Sequence, residues 1–310
     1  MLLSTLRIAT RKSPLALWQA NFIGQQLQQR HPQLTIQIIP LVTQGDQILD
    51  RSLTKVGGKG LFVKELEKAL LNQQADIAVH SMKDVPATFP AGLCLPVICQ
   101  RAEACDALVC PHSIDFIQLP IGSKVGTSSL RRQSQLKHLR ADLNILPLRG
   151  NVNTRLQKLD RGDFDAIVLA AAGLQRLNFT DRIQHLFTID QLLPAPGQGA
   201  LGIECRQTDQ HIRQLIAPLH DPLTALCLHC ERTVSSALGG SCQVPLAVHA
   251  QFIDQQISIC ARVAHPSGKP LLESQIRGAC DQADPLAQQV ITDLKAQGAL
   301  ALIQQVLAQS

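Results

Sequence analysis

The feature that most constrains the fold of this chain is an alternation of short apolar strands with amphipathic helices that occurs twice. It runs once over residues 6–42 and again over residues 124–172, where the second round ends in a buried strand predicted at 166–172. Strands that alternate with helices of this length are typical of sheets whose neighbouring strands run parallel. The predicted fold class is therefore α/β, with two similar lobes of mixed, mostly parallel sheet.

The pattern changes beyond the second round. Residues 194–199 read Pro-Ala-Pro-Gly-Gln-Gly, a stiff and then flexible break that suits a crossover between lobes, and the apolar run 200–205 predicts a strand returning to the first lobe. From residue 221 onward, a helix, three strands and C-terminal helices predict a small α+β domain. The expected domains are a first lobe at 1–100 with 200–217, a second lobe at 105–194, and the α+β domain at 221–310.

Length and composition limit the class of protein. With 310 residues, of which 45% are hydrophobic, the chain can bury a sizeable core in two or three domains. The longest apolar run, at 167–172, is far too short to cross a bilayer. The first residues show no basic leader before a long apolar region. Together with ten irregularly spaced cysteines, this predicts a cytoplasmic protein with reduced thiols.

One pair of cysteines has a spacing that is used in metal sites. Cys227 and Cys230 form a C-x-x-C, but no second pair at zinc-finger spacing follows, and the surrounding residues have a helical pattern. Packing within a helix is therefore favoured, and no metal site is predicted.

The charge is unevenly distributed along the chain. Residues 1–200 contain 22 Lys and Arg against 15 Asp and Glu, whereas residues 201–310 contain 7 against 9. An anion-binding surface is thus expected in the first two thirds. Aromatic residues make up only 3%, with one Trp and no Tyr, and the basic residues form no continuous basic helix. Both features argue against a nucleic-acid-binding protein.

Polar side chains follow a short apolar strand at residues 77–79. Ser81, Lys83 and Asp84 come after it, and Pro86 then stops the strand. In open α/β sheets, ligands bind beyond the carboxyl ends of strands. On an extended strand Ser81 and Lys83 would project to one side and Asp84 to the other, so that Lys83 holds a ligand anion while Asp84 faces a developing positive charge. The alternative is a solvated turn with an incidental ion pair.

Arginines recur at strand ends and helix starts, beside hydroxyls or glycines. A guanidinium group binds a carboxylate or a phosphate through two parallel hydrogen bonds. Six arginines at such positions therefore predict a ligand with several negative charges. Any single one of them could instead be a solvated surface residue. The hydroxyls of Thr127, Ser128 and Ser129 precede a helix whose free N–H groups also bind anions. The six arginines are Arg11, Arg131, Arg132, Arg149, Arg155 and Arg176.

Two glycine-containing loops carry groups of chemical interest. Lys55 and Lys59 lie in a loop with glycines on either side of Lys59, which suits a mobile lid or a plain connector. A Gly-Gly pair leaves Cys242 on a loop before a strand, where the thiol is either accessible and chemically active or structural.

Taken together, these motifs closely resemble the porphobilinogen deaminase family, also called hydroxymethylbilane synthases. The resemblance covers nearly the whole chain in order, through the segments 55–66, 79–86, 126–132, 149–155, 194–202 and 239–245. Enzymes of this family condense four molecules of porphobilinogen, with release of ammonia, into the linear tetrapyrrole hydroxymethylbilane. The resemblance implies two lobes like those of type II solute-binding proteins, a third domain that carries the cofactor cysteine, and a monomer.

The resemblance also implies a covalent cofactor and a catalytic acid. In the family a dipyrromethane, made from two porphobilinogen units, is joined through a thioether to the cysteine that matches Cys242 and serves as primer. Asp84 matches the catalytic aspartate. We expect it to help protonate the departing amine and to stabilise the cationic azafulvene and the pyrrole N–H. The expected partner is porphobilinogen, with no nucleic acid and no membrane.

Further residues are assigned by the same resemblance, because each pyrrole carries an acetate and a propionate that need counter-groups. The expected cofactor-binding residues are Ser13, Ser81, Lys83, Thr127, Ser128, Ser129, Arg131 and Arg132. The expected substrate-binding residues are Arg11, Gln19, Arg149, Arg155, Arg176 and Gln198, with Lys55, Lys59 and Phe62 in the loop or lid. Gln44 departs from the family, since many relatives have a basic residue there.

Two alternatives share the expected architecture. A solute-binding protein is disfavoured by the lack of a predicted signal peptide and by Cys242, and an inactive relative is disfavoured by the intact Asp84 and Cys242. A covalent adduct of two linked pyrroles on Cys242 would separate the enzyme from both.

Overall fold

The computed structural model describes residues 4–43, 63–86, 88–111, 114–240 and 244–309. The chain divides into two compact units, residues 1–102 with 200–225 and residues 103–199 with 226–310. The helices of the described residues are α1 (Pro14–Arg30), α2 (Lys64–Leu71), α3 (Leu130–Leu139), α4 (Val152–Asp160), α5 (Ala171–Arg176), α6 (Gln210–Ile216), α7 (Pro222–Ala237), α8 (Ala283–Ala296) and α9 (Ala299–Ala308). Within these ranges, no helix is both long and apolar enough to span a membrane.

The strands of the described residues form three sheets. They are β1 (Thr5–Arg11), β2 (Thr35–Leu41), β3 (Ile77–Ser81), β4 (Leu93–Ile98), β5 (Asp106–Val109), β6 (Lys124–Gly126), β7 (Asn144–Leu146), β8 (Ala166–Ala170), β9 (His185–Leu186), β10 (Leu201–Arg206), β11 (Leu246–Ile253), β12 (Gln256–Ala264) and β13 (Leu271–Ala279).

The first unit contains a five-stranded sheet in the order β2-β1-β3-β10-β4. β1 runs parallel to both β2 and β3, whereas β10 runs antiparallel to its neighbours β3 and β4. β10 is the strand that was predicted to return to the first lobe. Because β1 and β3 are parallel neighbours, their carboxyl ends meet at one edge of the sheet, and so do the residues that follow them.

The second unit repeats this arrangement in the order β7-β6-β8-β5-β9, with β5 antiparallel to both of its neighbours. In each sheet, the antiparallel strand in the interior of the sheet is the first strand after the chain passes from one unit to the other. The chain passes between units after residue 102, before β5, and after residue 199, before β10. The predicted pair of similar α/β lobes with mixed, mostly parallel sheets is confirmed.

Both faces of the first sheet are covered by helices. Leu6 and Ile8 pack with Ile23 of α1 on one face, and Ala9 packs with Leu66 of α2 on the other. The second sheet is likewise buried between two clusters, one that includes α3 and one that includes α4. Strands buried on both faces need continuous apolar runs, which is why the sequence pattern identified them so readily.

The second unit also contains the α+β region. β11, β12 and β13 form an antiparallel meander that packs against α7, α8 and α9 around one apolar core. Cys227 and Cys230 lie in α7 and are part of that core, as the helical pattern predicted. Burial raises the pKa of the Cys230 thiol to about 12, with the neighbouring Cys227 adding to the effect.

The second lobe and the α+β region share hydrogen bonds within this compact unit. Arg262 donates to the carbonyl oxygen of Asp190 at 2.8 Å, and the His138 ring contacts the carbonyl oxygen of Gly268 at 3.0 Å. The predicted second lobe, 105–194, thus lies inside the second unit, and so does the predicted domain 221–310 except for residues 221–225. The three-domain division stays a prediction.

One predicted element is too long. The strand expected at 166–172 ends at Ala170, and α5 begins at Ala171. The residues 171–176 include alanines, Leu and Arg, which favour a helix once the chain leaves the sheet. A short apolar run does not reveal this change because the same residues are buried in both elements.

Candidate active site

The segment after β3 forms a tight turn. The strand ends at Ser81, and Met82–Asp84 form one 3₁₀ turn. The prediction that Ser81 and Lys83 alternate with Asp84 along an extended strand is therefore wrong. Met82 is buried and its N–H donates to the carbonyl oxygen of Ala200 at 3.0 Å. Lys83 and Asp84 are both exposed, so the buried Met82 anchors a turn that presents two opposite charges.

A glycine on the neighbouring strand makes room for this anchor. A Cβ atom at Gly202 of β10 would lie 2.3 Å from Sδ of Met82 and 3.0 Å from a methyl carbon of Leu95. Any larger side chain would push Met82 away. The position of the charged turn thus depends on the absence of a side chain at residue 202.

Other predicted residues of the first unit lie at the same sheet edge. Arg11 ends β1 and is half-buried, and Ser13 caps α1 by accepting a hydrogen bond from the N–H of Ala16 at 3.3 Å. Gln19 is buried in α1 and its amide donates to Oγ of Ser81 at 2.9 Å. These contacts connect the start of α1 to the end of β3.

A buried acid–base cluster that the sequence did not reveal lies beside this edge. Nε2 of His80 lies 2.8 Å from Oε2 of Glu204, and both side chains are buried. Glu67 of α2 is also buried; burial raises the pKa of its carboxyl group, and the charge of Glu204 adds to the shift. β10 pairs with β3 so that Gly202 lies opposite His80. The His80–Glu204 pair is therefore part of the two strands that support the turn.

In the second unit, the predicted hydroxyls cap α3. Oγ of Ser129 accepts from the N–H of Arg132 at 3.4 Å, and Oγ1 of Thr127 accepts from the N–H of Ser129 at 3.2 Å. Ser128 is exposed and its hydroxyl donates to the carbonyl oxygen of Leu148 at 2.9 Å. The hydroxyls therefore already satisfy part of the backbone at this helix start.

Arg131 and Arg132 are not solvated, because only 5% and 6% of their surfaces are exposed. Both pair with the fully buried Asp106. Nη1 of Arg131 lies 2.7 Å from Oδ2, and Arg132 donates to Oδ1 through Nη2 at 2.7 Å and Nε at 3.1 Å. Arg131 and Arg132 also donate to the carbonyl oxygens of Leu193 and Val168.

Asp106, Arg131 and Arg132 form a cationic cluster, because their charges do not cancel. Burial by itself would raise the pKa of Asp106, but the charges and hydrogen bonds of Arg131 and Arg132 outweigh it and hold that pKa well below its usual range. One carboxylate thus faces two guanidinium groups, which leaves one positive charge in excess. Nε of Arg131 is buried and has no hydrogen-bond partner within the described residues. Both features suit an additional anionic ligand.

Gln198, near the end of the range 103–199 of the second unit, is hydrogen-bonded to residues at the start of that range. Its amide donates to the carbonyl oxygen of Ala104 at 2.6 Å and to Oδ1 of Asp106 at 2.9 Å. The crossover at residues 194–199 is also held by Glu231 of α7, whose carboxylate accepts from the N–H of Gly197 at 2.6 Å. Arg176 donates to the carbonyl oxygen of Gly199 at 2.7 Å. These side chains hold the crossover in the second unit.

Two further arginines lie next to a glycine with positive φ. Arg155 donates from Nε to the carbonyl oxygen of Gly150 at 2.8 Å, and Arg149 is half-buried next to it. Gly150 has φ +113°, and a Cβ there would lie 2.7 Å from a methyl carbon of Thr154. Only glycine fits this turn.

The predicted site residues therefore fall into two groups. The first unit brings together Arg11, Ser13, Gln19, Ser81, Lys83 and Asp84 at one sheet edge. The second unit holds Thr127, Ser128, Ser129, Arg131, Arg132, Arg149, Arg155, Arg176 and Gln198. Cys242, Lys55, Lys59, Phe62 and Gln44 lie outside the described residues.

Sequence reasoning missed Asp106, although one signal was present. Asp106 is a single acid at the start of an otherwise apolar run, Asp-Ala-Leu-Val-Cys. A charged residue inside a buried strand needs a partner of opposite charge. The sequence could thus have indicated a buried ion pair, but not which arginines form it.

Several solved structures show a weak overall likeness. The periplasmic VFT2 domain of BvgS from Bordetella pertussis matches with a TM-score of 0.41 and 17% identity, over 69% of this chain and 87% of that chain. A TRAP periplasmic solute binding protein from Desulfovibrio salexigens matches with a TM-score of 0.41 and 13% identity, over 70% and 72%. Likeness at this level assigns no function.

The sequence comparisons are far stronger. The family model described as "Porphobilinogen deaminase, dipyromethane cofactor binding domain" matches residues 6–214, and the model of the porphobilinogen deaminase C-terminal domain matches residues 225–296. A porphobilinogen deaminase from Syntrophotalea carbinolica is 51% identical over 296 residues, covering 96% of this chain and 94% of the relative. The chain therefore belongs to the porphobilinogen deaminase family and is a dipyrromethane-dependent enzyme of tetrapyrrole biosynthesis.

Proposed function

We propose that Asp84 is the catalytic carboxylate of this porphobilinogen deaminase and that Cys242 carries its dipyrromethane primer. The observation that carries the assignment of Asp84 is the turn after β3. Its buried residue Met82 is anchored to Ala200, while Lys83 and Asp84 are exposed at the carboxyl end of the strand. A rigid anchor with exposed charges is the arrangement that a reacting group needs.

The reaction develops positive charge when ammonia leaves. The aminomethyl nitrogen of porphobilinogen leaves in its protonated form, with Asp84 helping to supply that proton. Its bond to the methylene carbon breaks, and the electron pair leaves with the nitrogen as ammonia. The positive charge is then shared by the carbon and the pyrrole N–H. A carboxylate at Asp84 accepts a hydrogen bond from that N–H and stabilises the charge, while Lys83 binds a carboxylate of the pyrrole. Because the charge appears only as ammonia departs, Asp84 acts mainly on turnover.

The cationic cluster of the second unit fits the cofactor. Dipyrromethane carries acetate and propionate groups, and the excess positive charge of Arg131, Arg132 and Asp106 with the unpartnered Nε of Arg131 suits one such carboxylate. We assign cofactor binding to Ser13, Ser81, Lys83, Thr127, Ser128, Ser129, Arg131 and Arg132. We assign substrate binding to Arg11, Gln19, Arg149, Arg155, Arg176 and Gln198. When bound, the dipyrromethane would supply a pyrrole carbon that bonds to the methylene carbon of the first substrate and loses its proton.

Two further parts of the proposal concern the cell and the assembly. We place the enzyme in the cytoplasm, because ten irregularly spaced cysteines suit a reducing compartment. We propose that it acts as a monomer with porphobilinogen as its small-molecule substrate. The molecular mass in solution, measured by light scattering, tests the monomer.

The role of Asp84 is tested by Asp84→Asn, which keeps the size of the side chain and removes its charge. We expect kcat to fall about 10²–10³-fold, as for other preorganised groups that stabilise a transition-state charge, while the covalent adduct is retained. The matched control is Asp281→Asn, another exposed aspartate in a 3₁₀ turn. Ammonia release at saturating porphobilinogen measures kcat. Near-normal turnover of Asp84→Asn would refute the assignment.

The attachment of the primer is tested by intact-mass spectrometry of Cys242→Ser. The wild-type protein should carry the additional mass of two linked pyrrole units, and the variant should carry none. Cys280→Ser, which changes a half-buried free cysteine of the α+β region, should keep the adduct. An adduct that persists in folded Cys242→Ser would show that the primer is attached elsewhere.

A further inference from the structure

We propose that Asp106 is a positioning residue for cofactor binding: it holds the guanidinium groups of Arg131 and Arg132 in the orientation in which the pair binds one carboxylate of the dipyrromethane. This inference rests on the proposed function, because it takes Arg131 and Arg132 as cofactor-binding residues. It concerns a residue that does not itself touch the ligand, since Asp106 is fully buried.

The contacts of Asp106 fix the orientation of both guanidinium groups. Asp106 uses its two oxygens for different arginines, with Oδ2 at 2.7 Å from Nη1 of Arg131 and Oδ1 at 2.7 Å from Nη2 of Arg132. The second contact of Arg132, from Nε to Oδ1 at 3.1 Å, fixes the plane of its guanidinium group. A guanidinium binds carboxylates in a planar fork, so its orientation determines whether a ligand can be bound.

The charge of Asp106 also keeps the two buried guanidinium groups together. Among the described residues, Asp106 stabilises the positive charge of Arg131 and Arg132 opposes it. With Asp106 ionised, the buried cluster has one positive charge in excess, and one ligand carboxylate completes the balance. Without Asp106, two buried guanidinium groups would repel each other and turn apart.

Asp106 and the two arginines lie on rigid elements of the fold. Asp106 begins β5, which pairs with β8 over four residues, and both arginines lie in the first turn of α3. Gln198 donates to Oδ1 of Asp106 at 2.9 Å and to the carbonyl oxygen of Ala104 at 2.6 Å. The carboxylate is therefore held by a strand and an amide, and it cannot follow the arginines if they move. Such supporting contacts decide whether a site keeps its geometry.

The experiment measures cofactor loading directly. Full-length apoprotein, produced without a supply of porphobilinogen, is mixed with porphobilinogen, and the adduct is followed by intact mass. We expect Asp106→Asn to load at least tenfold more slowly than the wild type. The matched control is Asp76→Asn, because Asp76 is also a buried aspartate that pairs with two arginines, Arg7 and Arg206, but lies at the amino-terminal end of β3.

Asp76→Asn should lose stability and load at the wild-type rate, which separates positioning from general destabilisation. Asp106→Glu is the second variant, since it keeps the charge but moves the carboxylate by one methylene group; it should also load at least tenfold more slowly. Wild-type loading by either folded variant of Asp106 overturns the inference. An adduct in Cys242→Ser would instead refute the proposed attachment, so the two failures are distinguishable.

Discussion

Replacing Gly202 by alanine tests whether the turn that carries Lys83 and Asp84 depends on packing behind it. The added Cβ would lie 2.3 Å from Sδ of Met82, whereas ordinary contact begins at 3.4 Å, so the sulfur must retreat by about 1 Å. Met82 directly precedes the two charged residues in one 3₁₀ turn. A displacement of this size at the anchor should therefore reach Asp84.

The displacement of Met82 should lower both the free energy of unfolding and kcat. Overpacking of a buried site typically costs about 1–3 kcal/mol, and a flexible methionine keeps the cost toward the lower end of that range. Misplacing a catalytic group by about 1 Å can lower the rate by as much as about 10²-fold. We therefore expect Gly202→Ala to lower the free energy of unfolding by about 1–2 kcal/mol and kcat by about 10- to 100-fold.

The assay compares kcat, from ammonia release at saturating porphobilinogen, with urea unfolding of the same preparations. Gly24→Ala is the control, because its Cβ would lie 2.9 Å from a methyl carbon of Ile36 in the same unit, away from the turn. That control should keep kcat within about twofold of the wild type. If Gly202→Ala is destabilised as expected but turns over at the wild-type rate, the turn does not depend on Met82 and the reasoning is wrong.

Two other predictions concern a loop and a buried acid. Gly150→Ala adds a Cβ 2.7 Å from Thr154 at φ +113°, so we expect the loop of Arg149 and Arg155 to shift and KM for porphobilinogen to rise about tenfold. Gly162→Ala, at φ +82° with no atom within 4 Å, controls for backbone strain alone and should leave KM unchanged. For Asp76, burial acts to raise the pKa, but hydrogen bonds from Arg7 and the charges of Arg7 and Arg206 outweigh it and lower the pKa. Its contribution to stability is therefore complete above the unfolded-state pKa near ~4 and is lost as pH falls through the lower folded-state pKa. At pH 7 the free energy of unfolding of the wild type should exceed that of Asp76→Asn by about 3 kcal/mol, and this difference should shrink below about pH 4. Urea unfolding of both proteins across this pH range measures the difference. A difference that stays constant with pH would contradict the prediction.

The elements of the fold could largely be predicted from local pattern. The alternation of strand and helix predicted over residues 6–42 is present as β1, α1 and β2. The apolar run at 200–205 was predicted as a strand returning to the first lobe, and the structure has β10 of that sheet at Leu201–Arg206. Such features depend on residues close together in the chain, where periodicity and capping act directly.

The candidate site was only partly predictable. The sequence identified Lys83 and Asp84 but described them as strand residues, because nothing local shows that Met82 is anchored to Ala200. It identified Arg131 and Arg132 as residues that bind a ligand anion, but it gave no sign that the structure pairs both with Asp106.

The fold class, the family and the residue types available for polyanion binding could be predicted from the amino-acid sequence alone. Which of those charges are neutralised inside the protein, and which face outward, depends on how the chain packs in three dimensions. The physical reason is distance along the chain: Arg132 and Asp106 are 26 residues apart, Gln198 and Ala104 are 94 apart, and His80 and Glu204 are 124 apart. Buried ions and amides must find partners, but the sheet topology selects those partners from residues that no local pattern connects.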